Sequence, residues 1–190
     1  CGSGTFITHA PPSAQMVGVE LDATSAAIAA ALSPSAQIRA EGFEKTAVPP
    51  RSFTAAIGNV PFADVRLYDP VHNLAKHTIH NHFIVKSLAL TAPGGYVSLL
   101  TSRYTLDAHN QRARRDIAAL GDLVGAVRLP STAFKRVAGT EVVTDILVLR
   151  RREDDQQMSP LTTRFLGLEN ATAVDDAGED KAVPINAVYT

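Results

Sequence analysis

A chain of 190 residues has the size of one ordinary domain and is long enough to bury a real core. Apolar residues make up 45% and aromatics 6%, with no Trp, a balance that favours an aliphatic α/β core over an aromatic-rich sandwich. The single Cys excludes an internal disulfide framework and fits a reducing, cytoplasmic setting, and no stretch reads as a membrane helix or a signal peptide. The net charge of −1 hides an asymmetry: sixteen Lys and Arg stand against eleven Asp and Glu in residues 1–152, and two against eight in residues 153–190. A mildly basic body is compatible with a polyanionic partner, but the charge alone does not mark a nucleic-acid protein.

The chain opens on a glycine-rich turn, Cys1 to Gly4, and then becomes apolar. Met16–Leu21 is a short apolar run ending in acid and reads as a buried parallel strand. Ala23–Leu32 is Ala-rich and helical, stopped by Ser33-Pro34. Gln37–Ala40 and Phe53–Gly58 read as strands, the second running into Asn59-Val60-Pro61-Phe62. Residues 63–77 form a loop with Asp69-Pro70 as a turn signal. A helix is expected from Ile79 to Thr91, closed by Pro93-Gly94-Gly95, and a strand over Tyr96–Thr101. Asp107 can cap a helix running to Leu120, with Gly121 as its stop. Leu123–Leu129 and Val142–Leu149 are the last two strands and can pair antiparallel at one edge. Beyond Arg152 the acidic, small-residue-rich composition reads as a linker or the start of a further module, so residues 1–152 and 153–190 are expected to be separate units.

Strands alternating with helices predict an α/β fold with a doubly wound, mostly parallel sheet. Ligands of such sheets sit at the carboxyl ends of the strands. That gathers the glycine turn, Glu20 and Asn59–Phe62 in one crevice. Gly2-Ser3-Gly4 lets backbone approach a ligand, although two glycines so spaced are also common in plain turns. Glu20, at a strand end, can accept ribose hydroxyls or simply stand in solvent. Asn59–Phe62 carries the sharpest chemistry. An aromatic amine is a poor nucleophile, and two acceptors aimed at its N–H bonds, the Asn59 side-chain oxygen and the Val60 or Pro61 carbonyl, draw it toward a reactive geometry. Pro61 fixes the backbone direction, and Phe62 offers a flat face for a base taken out of a duplex. A loop with a polar cap and a buried Phe is the bland alternative.

In order, these elements resemble the amino-methyltransferase family, with its Gly-x-Gly motif, an acid ending the next strand, and an (Asn/Asp)-Pro-Pro-(Phe/Tyr) motif. The motif order is similar to the gamma group of N6-adenine DNA methyltransferases, including modification subunits of restriction systems. The resemblance implies a Rossmann-like methyltransferase fold and S-adenosyl-L-methionine as cofactor. Gly2, Gly4, Thr5, Phe6 and Glu20 would hold that cofactor, with Leu21 and Phe43 as walls for its adenine. Asn59, Val60, Pro61 and Phe62 would hold the target base. Val60 stands where the family usually has Pro. Ser87–Ser102 looks like the helix, turn and strand that follow the catalytic loop, and Arg128–Leu149 is similar to the ending of modification-subunit and helicase-linked methylases. The resemblance covers residues 1–152 and implies that a first, central strand precedes Cys1 in a longer parent. It also implies DNA as substrate, a helicase or specificity module in the same chain or complex, and a bacterial or phage-encoded cytoplasmic enzyme. The fragment alone is expected to be inactive.

Three rivals stand beside this reading: a methyltransferase acting on RNA or protein glutamine, a non-catalytic scaffold that binds DNA or a partner, and a nucleotide-binding oxidoreductase. The last is disfavoured because Ile7 interrupts a full Gly-x-Gly-x-x-Gly fingerprint. His72, His77, His80 and His82 invite a metal reading, but no Cys accompanies them and none is expected. Arg112, Arg114 and Arg115 read as a solvated helix face, and Arg150–Arg152 as a strand end kept in water.

Overall fold

The computed structural model describes residues 1–135, 142–174 and 178–190. A short helix α1 (Thr5–Thr8) leads to strand β1 (Val17–Glu20), helix α2 (Ala23–Leu32) and strand β2 (Gln37–Ala40). Asp22 caps α2 by accepting from the Ser25 amide at 2.7 Å, and the helix ends at Ser33 just before Pro34. A 3-10 turn (Phe43–Lys45) precedes strand β3 (Phe53–Asn59). Helix α3 (Ile79–Leu90), strand β4 (Thr91–Ser102), helices α4 (Tyr104–Asp107) and α5 (Arg112–Leu120) and strand β5 (Gly121–Leu129) follow. Strand β6 (Thr144–Arg151), helix α6 (Pro160–Leu166) and strands β7 (Leu168–Val174) and β8 (Asp180–Asn186) complete the chain.

The main sheet has the order β3-β4-β6-β5. Strands β3 and β4 are parallel, while β6 is antiparallel to both β4 and β5. Three of the four strands therefore run one way and only β6 is reversed, so the expected antiparallel pair is present with β5 at the sheet edge. Strands β1 and β2 form a separate parallel pair. Register alternation sorts the main sheet into two faces. One carries Val97, Leu99, Leu147, Leu149 and Leu123, which pack with Ile84 and Leu88 of α3, Ile117 of α5 and Phe165 of α6 in a buried cluster. The other carries Ile57, Tyr96 and Val127, which are 54%, 49% and 57% exposed. Helices thus cover one face of this sheet, and its second face is bare among the described residues.

Three local expectations need correction. Asp107 does not cap a long helix; it lies inside α4, and α5 begins only after Gln111. Its carboxylate instead accepts from the Asn186 amide at 3.0 Å and from Arg128 at 2.8 Å. Arg114 is not on a solvated face: it is fully buried and donates to the carbonyls of Leu106 and Ala108, both at 2.7 Å. It thereby satisfies the carbonyls at the end of α4 that no helix continues. Arg152 is no water-facing strand end either, because it pairs with Asp122 at 2.8 Å and donates to the Ala118 and Gly121 carbonyls.

The acidic segment 153–190 is knitted to the body. Phe165 sits at 0% exposure in the main cluster. Asn186, also fully buried, donates to the carbonyls of Leu106 and Phe165 at 3.0 and 2.8 Å. Gly139-Thr140 of the resembling motif lie outside the described residues. No helix among the described residues is long and apolar enough to cross a membrane.

Candidate active site

Two clusters lie at the carboxyl ends of parallel strands. The first is built by Glu20 at the end of β1. Its Oε2 accepts from the Gly2 amide at 2.7 Å, and its Oε1 accepts from the Asp22 amide at 3.0 Å. Burial works to raise the pKa of this carboxyl, while the hydrogen bonds from the Asp22 and Gly2 amides lower it. Two of a carboxylate's roughly four acceptor positions are thus used by main-chain amides. One position on each oxygen remains for ligand hydroxyls.

The glycine turn is shaped for close approach. Gly2 has φ +57° with open space where a Cβ would stand, so a ligand can come up to its backbone. Gly4, at φ +92°, places its missing Cβ 3.2 Å from Ala29 Cβ of α2, which any larger residue would crowd. Thr5 and Phe6 open α1 on the exposed side, and Leu21 is 77% exposed beyond Glu20. Phe43 is half-buried, its ring 4.7 Å from that of Phe83 and 5.2 Å beneath Lys86 Nζ, so one part of the ring is already occupied by α3.

The second cluster is the tetrapeptide ending β3. Asn59, Pro61 and Phe62 are exposed, whereas Val60 is buried in the main cluster. The Val60 amide donates to the Leu100 carbonyl at 3.1 Å, carrying the β3–β4 pairing one residue beyond Asn59. A proline there would have no hydrogen to donate. Valine thus anchors by hydrogen bond and burial a turn that a second proline would stiffen covalently. The result presents Asn59 and Phe62 on either side of a fixed point.

No hydrogen bond among the described residues joins the Glu20 cluster to Asn59–Phe62. Apart from both clusters lies a buried polar network that the sequence disguised as a histidine-rich helix start. Asp69 receives His82 Nε2 and Lys86 Nζ; Asn73 brackets His77 by accepting its amide at 2.8 Å and donating to its carbonyl at 3.2 Å. His77 Nε2 meets Asp116 at 2.7 Å, and His80 Nε2 meets the Thr78 hydroxyl at 3.1 Å. His77, His80 and His82 thus each have a side-chain partner through Nε2, and among the described residues no group of three or more His, Cys, Asp or Glu is arranged to hold a metal ion. Asn81 continues the chain to Thr78, Thr105 and, through it, Thr101. The one sequence signal for this network is the density of His, Asn and Asp across residues 69–82, which is too polar for an ordinary amphipathic helix start.

No family model matches the chain, and no curated protein matches it. Solved structures do. A Listeria monocytogenes protein assigned to the class I S-adenosylmethionine-dependent methyltransferases is 22% identical with a TM-score of 0.58, covering 77% of this chain and 47% of its own. The methyltransferase subunit of a type I restriction-modification system from Streptococcus thermophilus is 15% identical with a TM-score of 0.64, covering 83% of this chain and 39% of its own. The N-methyltransferase NodS of Bradyrhizobium japonicum, bound to S-adenosyl-L-homocysteine, is 11% identical with a TM-score of 0.54, covering 80% and 74%. The chain spans less than half the length of the first two. At identities this low the likeness shows the fold, which is the mixed α/β fold of S-adenosylmethionine-dependent methyltransferases.

Proposed function

We propose that this chain is part of the catalytic domain of an enzyme that methylates the N6 amine of adenine in DNA. The observation that carries the proposal is the pairing of an ionised Glu20 locked onto a glycine turn with Asn59 and Phe62 presented at the end of a parallel strand. The likeness to a restriction-modification methyltransferase subunit supports DNA as the substrate class.

The residues fit the cofactor: Glu20 keeps an acceptor position on each oxygen for ribose hydroxyls, and the space over Gly2 admits close contact. S-adenosylmethionine, when bound, supplies a methyl group on a sulfonium. Asn59 Oδ1 accepts one N–H of the target amine, and a main-chain carbonyl of the turn accepts the other. These acceptors stabilise the positive charge that develops on nitrogen as the new bond forms. Phe62 stacks on the extruded base, whose removal from the helix costs a few kcal/mol. The methylated amine is acidic enough to lose its proton to water, so the site needs no strong base.

The parent is proposed to be longer, with a helicase or specificity module in the same chain or complex, and to work in the bacterial cytoplasm. The proposal includes a further strand pairing between β1 and β3. Each of these pairs on one side only among the described residues, and the bare sheet face leaves room for more chain. Residues 1–190 alone are proposed to be inactive.

The test is calorimetric titration of S-adenosylmethionine into the whole protein, followed by methyl transfer to unmethylated DNA, RNA and protein acceptors. Binding is expected, with loss of at least tenfold in affinity for Glu20→Ala, the scale of one charge-assisted hydrogen bond. Transfer to DNA should disappear in Asn59→Ala while cofactor binding persists. Transfer that survives Asn59→Ala would refute the mechanism, and a folded protein that binds no cofactor would favour the scaffold reading.

A further inference from the structure

Between the Phe43 turn and helix α3 lies a buried charge centre that neither motif contains. Asp69 Oδ2 accepts from Lys86 Nζ at 2.9 Å and from His82 Nε2 at 3.0 Å, and Oδ1 accepts from the amides of Val71 and His72 at 3.0 and 2.9 Å. The side chains of Asp69, His82 and Lys86 are 3%, 0% and 2% exposed. Lys86 has two further contacts. Its ammonium donates to the Glu44 carbonyl at 3.2 Å and stands 5.2 Å from the centroid of the Phe43 ring.

Lys86 thus holds two segments that do not bond each other. One is the turn bearing Phe43, a candidate wall of the cofactor's adenine. The other is the loop that leaves Asn59–Phe62 and returns to α3. A buried ion pair is a poor device for stability alone, because desolvation offsets much of its attraction and a well-packed apolar pair does as well. Its value is geometric: an ammonium satisfied by one carboxylate, one carbonyl and one ring tolerates little displacement of any of them.

We infer that Lys86 is a positioning residue that couples the cofactor's adenine wall to the loop holding the target base, so that occupation of one side favours the bound arrangement of the other. The inference rests on the methyltransferase reading. Cofactor seated against Phe43 restrains the 43–45 turn, the turn's carbonyl and ring hold the ammonium, and the ammonium holds Asp69 and with it the target loop. By linkage the effect runs equally from DNA to cofactor.

The experiment measures binding of fluorescein-labelled fragments of unmethylated plasmid DNA to the whole protein, with and without sinefungin as the cofactor analogue. In the wild type sinefungin should tighten DNA binding at least about fivefold, the lower end of ordinary coupling between sites. The double variant Lys86→Met/Asp69→Asn removes both charges and so leaves no orphan ion, and it should reduce that factor to about one. Asp69→Asn alone keeps the shape, but its single side-chain oxygen cannot accept both from the Val71 and His72 amides and from His82 and Lys86; it should lower the factor even if the double variant fails to fold. Lys86→Arg should retain most of it, which a variant that merely loosened the core would not. A full coupling factor in a folded Asp69→Asn or double variant overturns the inference, as does a wild type that binds both ligands with no coupling. A wild type that binds no sinefungin overturns the methyltransferase reading itself, and the inference with it.

Discussion

Val60 replaces the proline usual in the resembling motif, and the structure supplies the reason it can. Its amide bonds the Leu100 carbonyl and its side chain is buried, so the turn is held from behind while Asn59 and Phe62 face outward. Val60→Pro deletes that donor. The expected cost is about 1 kcal/mol of folding stability, the usual net worth of one backbone hydrogen bond, read from the midpoint of urea unfolding. An unchanged midpoint would mean that burial alone anchors the turn. Glu20 shows the limit of the same logic. As an acid ending a strand it is legible in sequence, but its engagement by the Gly2 and Asp22 amides depends on the fold of the turn above it.

At the scale of elements, the insertion of β6 between β4 and β5 decides where the last third of the chain goes. Arg128 on β5 and Asp145 on β6 are register partners, joined by two bonds of 2.9 Å. Asp145 also accepts the Tyr189 hydroxyl at 2.9 Å, and the Arg128 guanidinium lies 4.6 Å from the centroid of the Tyr189 ring. Together with the Arg128–Asp107 pair, this fastens the chain end across the sheet. Arg128→Ala leaves the fully buried Asp145 without its cation and should cost about 3 kcal/mol. Hydrogen exchange should show the amides of residues 186–189 losing protection ahead of those of β4. Equal loss throughout would mean that the segment unfolds only with the whole. Nothing in the acidic composition of residues 153–190 announces this attachment, because it rests on a few buried residues, Phe165, Asn186 and Tyr189, scattered among polar ones.

For the whole molecule, the buried polar network makes folding sensitive to acid. Burial lowers the pKa of His82 and His80 and keeps both neutral. The unfolded state therefore takes up protons first as pH falls through the ordinary histidine range, near 6.5, and stability begins to decline there. Asp69 is held well below the ordinary carboxylate range: burial opposes this, and bonds from Lys86, the His72 amide, His82 and the Val71 amide overcome it. Glu20, lowered by the Asp22 and Gly2 amides, behaves alike. Their contribution is present above the ordinary carboxylate pKa of about 4 and is lost as pH falls further. Thermal melting by circular dichroism should show a plateau from pH 8 to about 7, a shallow decline to about 5 and a steep one below about 4. Stability that rises on acidification would contradict the buried, neutral state of the histidines.

Strands β1 to β6, the helices Ala23–Leu32 and Ile79–Leu90, and the order of glycine turn, acid and Asn59–Phe62 were legible in sequence, because each rests on local pattern: apolar periodicity, capping residues and turn formers within a few positions; β7 and β8 were not. The antiparallel pair was legible as one option, since the sequence between the last two strands offers no obvious long helix of the kind that usually carries a parallel crossover. What tertiary structure alone decided was which polar residues go inside. Arg114, Lys86, Asp69 and His82 have the composition of a solvated surface, and only the partners brought to them from distant positions make their burial tolerable. Pairing across 17 residues for Lys86 and Asp69, or 42 for Lys86 and Glu44, leaves no periodic trace in sequence. A contact between remote residues is set by the path of the whole chain.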